Sequence, residues 1–166
     1  DTSGNVITLA GQNKYYGDGL AAINSRFGSI ANIGVKSNGN VVTFDKTSLR
    51  IRELDRTTGQ MSLLAGNNIS ATPNTTSAAN TQSIPFDIWV DTALIGILPA
   101  TDEVVYNRGN AIAKISSSTG KWVDIAGNGT TSYMTADGLG LGSVLLKSAY
   151  YPKVVGTSGT SVLAAV

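Results

Sequence analysis

The sequence of 166 residues contains no cysteine and no histidine. Without these residues the chain has no disulfide, no thiolate nucleophile, no imidazole base and none of the usual zinc or copper ligands. Reaction mechanisms that depend on a histidine or a cysteine are therefore excluded. We predict no catalytic residue, no metal and no cofactor.

Charge is also scarce, since Asp, Glu, Lys and Arg make up 14% of the residues. Twelve basic side chains balance eleven acidic ones, which leaves a formal net charge of +1. Such a chain has no overall field to attract a polyanion, and we do not expect nucleic acid as a partner. No apolar run approaches the ~20 residues that cross a bilayer, so we predict no membrane span.

The residues that are abundant favour a β protein. Hydrophobic residues make up 42% of the chain, enough to bury a core. Most of the polar residues are Ser, Thr, Asn and Gly, which suit strands and turns better than helices with salt bridges. We therefore predict an all-β fold.

A repeated tripeptide divides the chain into units. Leu9-Ala10-Gly11 returns as Leu64-Ala65-Gly66 and as Ile125-Ala126-Gly127, at intervals of 55 and 61 residues. A second marker is the turn that ends in Thr58-Gly59 and returns, 61 residues later, as Thr119-Gly120. Glycine supplies the positive φ that such hairpin turns require. Internal repeats of this length are typical of blades or solenoid units.

Alternating and apolar runs between these markers predict four short strands in each unit. We count eleven strands, of which three belong to incomplete units at the two ends of the chain. The predicted strands are 6–9; 32–36, 41–44, 49–54 and 61–64; 87–90, 103–106, 111–115 and 122–125; 153–155 and 161–166.

Tandem units of four antiparallel strands are the blades of a β-propeller. We predict one propeller segment over residues 1–166, with units at about 6–66, 67–127 and an incomplete unit at 128–166. A closed propeller takes about four to eight blades, so this chain predicts an incomplete ring. Open sheet faces expose apolar surface, and we therefore expect self-association or the remaining blades of a longer parent chain.

The order of motifs in the first unit resembles a known family. Ile7-Thr8-Leu9-Ala10-Gly11, Gly17-Asp18-Gly19, Ala21-Ala22, Phe27, the turn at residues 38–40 and the strand at residues 50–55 together are similar to an NHL-repeat β-propeller. The resemblance implies a rigid platform for protein, nucleic-acid or carbohydrate contacts. It also implies an extracellular setting or a virion, such as a bacteriophage tail, over the cytoplasm.

Two groups of residues are candidate contact sites. Tyr15, Tyr16 and Tyr133 follow the Ala-Gly marker and are candidate rim contacts for protein or glycan, with packing between blades as the alternative. The apolar segment with Leu94, Ile95, Ile97 and Leu98 stands where a hairpin turn should be polar. This segment either folds back onto its own blade or docks a neighbour, and we favour an assembly contact.

For three polar features we favour a structural role over a binding role. Gly17-Asp18-Gly19 and Asp137-Gly138 are read as tight connections in which Asp accepts backbone N–H bonds, and not as a calcium or sugar site. Arg50, Arg52 and Arg56 are read as charges on a solvated outer strand, and not as a phosphate-binding stripe. The polar segment 67–83 is read as a mobile loop, with a contact element as the alternative.

We predict a non-catalytic interaction or structural module that contacts protein or glycan. The alternatives are a propeller enzyme of the hydrolase or lyase type, which would have to rely on Asp, Glu, Tyr or Lys, and an RNA-binding propeller.

Overall fold

The computed structural model describes residue 4, residues 17–85, 95–108 and 111–127, and the backbone of residues 150–155 and 161–165. Within this part of the chain there are ten strands and two short 3-10 helices. The strands form two four-stranded antiparallel sheets and one two-stranded sheet. The all-β prediction is confirmed.

The first sheet has its strands in the order of the sequence, joined by hairpin turns. The predicted positions of these strands agree with the structure to within two residues at each end. Gly39 and Gly59 in the turns have φ of +83° and +69°, as the turn signals indicate. The strands are β1 (Ile30–Val35), β2 (Val41–Asp45), β3 (Arg50–Leu54) and β4 (Met61–Ala65).

The second sheet repeats this arrangement, with one correction to its first strand. That strand is β5 (Gly96–Ile97), which lies inside the segment we interpreted as an apolar insertion in a turn. The strand predicted at residues 87–90 lies outside the described residues. The other strands are β6 (Val104–Asn107), β7 (Ile112–Ile115) and β8 (Trp122–Ala126), as predicted.

The third sheet is a hairpin of β9 (Tyr150–Val155) and β10 (Ser161–Ala165). A hairpin starts each of the three sheets, and the loop of the second hairpin is one residue longer than the other two. Val35 pairs with Val41 in the first sheet, and the equivalent pairs are Ile97 with Val104 and Val155 with Ser161.

Each four-stranded sheet begins with a matching connection. The 3-10 helices η1 (Ala22–Asn24) and η2 (Ala79–Thr81) each follow an extended alanine that bridges to the residue before the fourth strand. Ala22 donates a backbone hydrogen bond to Gly59, and Ala79 donates the equivalent bond to Gly120. The second half of segment 67–83 is therefore the counterpart of the Ala21-Ala22 motif in the first unit.

The first two sheets pack face to face. The near face of the first sheet, which includes Val42 and Phe44, lies against the near face of the second sheet, which includes Val104 and Tyr106. By their positions in the strand pairing, Val104 and Tyr106 of the second sheet correspond to Val41 and Thr43 of the first sheet. The side chains of Val41 and Thr43, however, point away from the interface between the two sheets. Successive sheets thus use opposite faces. The core consists of Val42, Phe44, Ile51, Ala65, Ala79, Ile84, Ile95, Val104, Tyr106, Ala113, Ile115 and Trp122.

The stack continues on the other side of the second sheet. β9 lies close to β5 and β6, and β6 is already paired at both edges with β5 and β7. β9 must therefore approach from the face that the first sheet leaves free. Sheets that stack in sequence with alternating faces are propeller blades. Within the described residues the sheets form no closed ring, which agrees with the predicted fold class.

Candidate functional site

An open cleft of about 470 Å³ lies between the first two sheets and is the candidate functional site. We call it the interblade cleft. Its lining combines apolar side chains with charged and hydroxyl side chains, as ligand-binding clefts do. The lining residues are Lys36, Glu53, Leu63, Leu64, Ala78, Asn80, Asp102, Glu103, Val104, Ile115, Ser116, Ser117, Thr119 and Gly120.

The hairpin turns position the polar walls. Lys36 follows β1 directly, and Glu53 is the fourth residue of β3. The lysine Nζ lies 2.7 Å from Oε2 of the glutamate, so this wall carries an ion pair. Asn40 also donates to Glu53, at 2.7 Å, which fixes the carboxylate against the first hairpin turn.

The opposite wall carries a second ion pair. Glu103 precedes β6, and its Oε2 lies 2.6 Å from Nζ of Lys114 on the neighbouring strand. Ser117 and Thr101 donate further hydrogen bonds to this carboxylate, at 3.1 Å and 3.0 Å. Burial by itself raises the pKa of Glu103, but the hydrogen bonds from Lys114, Ser117 and Thr101 outweigh burial and hold that pKa below its usual value. The carboxylate is therefore negatively charged at neutral pH.

Asp102 links the two sheets at the edge of the cleft. Its carboxylate accepts hydrogen bonds from the backbone N–H of Ser37, at 2.8 Å, and from the Ser37 hydroxyl. The side-chain hydrogen bond from Ser37 is the main cause of a lowered pKa at Asp102. This contact joins the β1–β2 turn of one sheet to the β5–β6 turn of the next.

These contacts determine what the interblade cleft can do. Glu53 and Glu103 each neutralise a lysine, and Asp102 is held by Ser37. Groups fixed in this way hold the two walls in place and present hydrogen-bonding atoms. The geometry suits contact with a polar surface.

Arg50 and Arg52 do not form the exposed stripe or lie on the solvated outer strand that we considered, whereas Arg56 is exposed in the turn after β3. β3 is an interior strand, paired with both β2 and β4. Arg52 is completely buried, and its Nε lies 2.6 Å from Oδ1 of Asp18. Its guanidinium also donates to the Arg26 carbonyl at 2.6 Å and lies 5.0 Å from the centre of the Phe27 ring. The alternation of β3 indicated that Arg50 and Arg52 share a face, but it gave no sign that the face is covered.

Asp18 has a different role from the one we predicted. Gly17 and Gly19 have φ of +69° and +83°, so the expected positive φ is confirmed. The Asp18 carboxylate, however, accepts from the guanidinium groups of Arg50, at 3.0 Å, and Arg52. The expected acceptance of backbone N–H bonds is replaced by an ion pair that closes the turn over β3. Asp137 and Gly138 lie outside the described residues.

The other predicted contacts are only partly visible. Tyr15, Tyr16 and Tyr133 lie outside the described residues, as does Leu94, and their roles stay predictions. Ile95 and Leu98 are buried in the chain, and Ile97 packs close to Gly34 of the first sheet. The segment therefore starts its own blade and also contacts the neighbouring blade of the same chain. The two alternatives from the sequence, packing on its own blade and docking a neighbour, both apply within the chain. A contact of this segment with another chain stays a prediction.

Sequence reasoning missed the residues that build the cleft. Glu103 begins the strand predicted at residues 103–106, and neither Glu103 nor Asp102 was given a role. The positive φ of Asp102, +55°, is a backbone feature that the sequence does not reveal. The segment 67–83 is also held more firmly than a mobile loop would be, because Arg108 donates to the Pro73 carbonyl at 2.7 Å.

Within the described residues the fold defines a class, namely propeller-type blades without a closed ring. Comparison with known proteins adds no closer identification, since no family model and no curated protein matches the chain. None of the helices in the described ranges has the length and apolar character needed to cross a bilayer.

Proposed function

We propose that the chain is a non-catalytic interaction module, a partial NHL-type β-propeller that serves as a platform for protein or glycan contacts. We further propose that it belongs to an extracellular or bacteriophage tail assembly, as the resemblance of its first unit implies. The single observation that carries the proposal is the interblade cleft, a polar groove between two rigidly joined sheets.

Two features of the cleft support a contact role. The Ser37–Asp102 link fixes the distance between the two turns, so the cleft is formed before any partner arrives. A preformed surface loses little conformational freedom on binding. Asn80, Ser117 and Thr119 are exposed at the mouth of the cleft and offer amide and hydroxyl groups to a partner.

A binding screen with a matched pair of variants tests the proposal. The purified chain is applied to a glycan array and to a peptide display library, and the strongest binder of either is measured in solution. Asn80→Arg places a bulky charge at the mouth of the cleft and is expected to weaken binding by roughly tenfold or more. Thr75→Arg is the control, because Thr75 is exposed but does not line the cleft. Equal effects of both variants, or no binder in either screen, would contradict the proposal.

The alternative functions predict different results. An enzyme of the hydrolase or lyase type would turn over a member of a glycoside and polysaccharide panel, and Glu103→Gln would abolish that turnover. An RNA-binding propeller would lose affinity steeply as salt increases, because phosphate contacts release counterions. Either result would replace the non-catalytic proposal.

A further inference from the structure

Two equivalent isoleucines, one in β1 and one just before β5, differ sharply in exposure. Ile33 of β1 is 58% exposed, whereas Ile95, just before β5, is 7% exposed. Each lies two residues before the last paired residue of its strand at the hairpin loop: Ile33 before Val35, and Ile95 before Ile97. Val35 itself is 62% exposed. Residues that the second sheet buries are thus left open in the first sheet.

The second sheet shows what covers these positions when they are buried. Ile97 packs so closely over Gly34 that a Cβ atom on that glycine would overlap its side chain, and Ile95 lies next to it. The backbone N–H of Ile95 also donates to the Asn32 side chain at 3.3 Å. The cover is therefore the near face of a preceding first strand.

Only half of the far face of the first sheet is open. Over β3 and β4 the chain closes this face itself: Met61 is buried and exchanges backbone hydrogen bonds with Gly19 and Leu20, and Arg52 is buried against Asp18. Over β1 the apolar side chains of Ile33 and Val35 remain exposed, and Val41 at the start of β2 is half-buried. We call this area, made of Ile33, Val35 and Val41, the open patch.

The chain contains a hairpin whose extent matches the open patch. The β9–β10 sheet has two strands, and its register repeats that of β1 and β2. In this register Val154 of β9 is equivalent to Gly34, and Val162 of β10 is equivalent to Val42. Gly34 and Val42 belong to the near face that covers Ile97 and its neighbours.

We propose that the open patch binds the β9–β10 hairpin of a second copy of this chain. The contact repeats the packing within one chain, in which the face that carries Gly34 and Val42 lies against the face that carries Ile97 and Val104. Because the two partner surfaces are different, the association is head-to-tail and can close a ring or extend further. The inference rests on the proposed role as an assembling, non-catalytic module.

The molar mass of the chain in solution, measured for the wild type and for variants with an added charge, tests whether the open patch is the site of self-association. We expect the wild-type chain to show a concentration-dependent mass above that of the monomer in sedimentation velocity. Val35→Asp and Ile33→Asp place a carboxylate in the buried contact and are expected to weaken association by roughly tenfold or more. Ile69→Asp is the control, because Ile69 is 57% exposed and lies outside the open patch. Circular dichroism checks that all three variants keep the β fold.

Cysteine cross-linking tests the identity of the partner surface. The chain has no cysteine, so each introduced thiol is unique. A mixture of Val35→Cys and Val154→Cys chains is expected to form a disulfide-linked heterodimer under mild oxidation, because Ile97 and Gly34 make the equivalent close contact within one chain. A mixture of Ile69→Cys and Val154→Cys chains is the control and should remain unlinked.

Several outcomes would overturn the inference. A wild-type chain that stays monomeric at every concentration would do so, since the patch would then be bare or covered by residues of the same chain. Preferred cross-linking of Val35→Cys chains to one another would show a symmetric contact instead. Association that is unaffected by Val35→Asp and Ile33→Asp would place the interface elsewhere. A monomer that still binds a glycan or peptide at the interblade cleft would contradict only this inference and leave the proposed function intact.

Discussion

Asp45, the last residue of β2, and Arg108, directly after β6, occupy the same register position and carry opposite charges. Both side chains are buried, and both hold the segment that enters their sheet. Asp45 accepts from the backbone N–H groups of Gly28 and Ser29, whereas Arg108 donates to the carbonyl of Pro73. One structural task is thus performed by a carboxylate in one blade and by a guanidinium in the next.

Removal of the partner of Arg108 should be more damaging than removal of Arg108 itself. Arg108 forms two hydrogen bonds of 2.6 Å with Asp124, and the arginine is the more buried of the two. Asp124→Ala leaves a buried guanidinium without its counterion and is expected to cost about 3 kcal/mol, whereas Arg108→Met leaves a carboxylate that water can reach and should cost about 1–2 kcal/mol. Urea denaturation of both variants measures the difference, and the reverse order would contradict this account.

The stability contributed by Asp45 should depend on pH in the acid range. Burial by itself raises the pKa of Asp45, but hydrogen bonds from Gly28, Ser48 and Ser29 outweigh it and hold the pKa below its ordinary value of 3.8. A lowered pKa in the folded state means that this stability is present above the unfolded-state pKa and is lost as pH falls through the folded-state pKa.

Asp45→Asn is the variant that tests this dependence. Its amide still offers one oxygen but turns an N–H₂ group toward one of the present donors, so we expect a cost of about 1–3 kcal/mol at neutral pH. The difference in unfolding free energy between wild type and variant should narrow below about pH 4, because only the wild type loses a charged acceptor there. Denaturant titrations at several pH values measure it. A gap that stays constant down to the acid transition would rule out this carboxylate as the source.

Two glycine variants separate backbone strain from steric overlap. Gly59 and Gly66 both have positive φ, +69° and +100°. A Cβ atom at Gly59 would meet no other atom, so Gly59→Ala should cost about 1 kcal/mol from backbone strain alone. A Cβ atom at Gly66 would overlap the carbonyl oxygen of Leu49, and Gly66→Ala should therefore cost more than Gly59→Ala. Thermal denaturation of the two variants under one condition provides the comparison, and equal losses would be the contrary result.

The Tyr106 hydroxyl is expected to make a small contribution and its ring a large one. The hydroxyl donates to the Pro85 carbonyl at 2.8 Å, while the ring centre lies 5.3 Å from that of Phe44 and 6.3 Å from that of Trp122. Tyr106→Phe should cost about 1 kcal/mol, and Tyr106→Ala about 3–5 kcal/mol because a cavity forms between the sheets. Chemical denaturation measures both. Similar costs for the two variants would mean that the aromatic contacts between the sheets are not important for stability.

The sequence alone determined the repeat, the four-strand unit and most strand positions in the described residues. These features are local: alternating side chains specify a strand, and glycines with positive φ specify where it turns. The Ala-Gly marker is explained in the same way, since Gly66 and Gly127 both have positive φ after a fourth strand.

The tertiary structure decided everything that depends on which faces meet. The strand formed by Gly96 and Ile97 is only two residues long and is defined by its pairing with β6, so no periodicity could reveal it. The burial of Arg52 depends on a turn more than thirty residues earlier that brings Asp18 over β3. The repeat does not predict that one register position carries a carboxylate in the first blade, at Asp45, and a guanidinium in the second, at Arg108. Either group can hold a loop, because a carboxylate accepts from backbone N–H groups and a guanidinium donates to backbone carbonyls. Local pattern therefore specified the blades, and long-range packing determined the cleft, the buried ion pairs and the open patch.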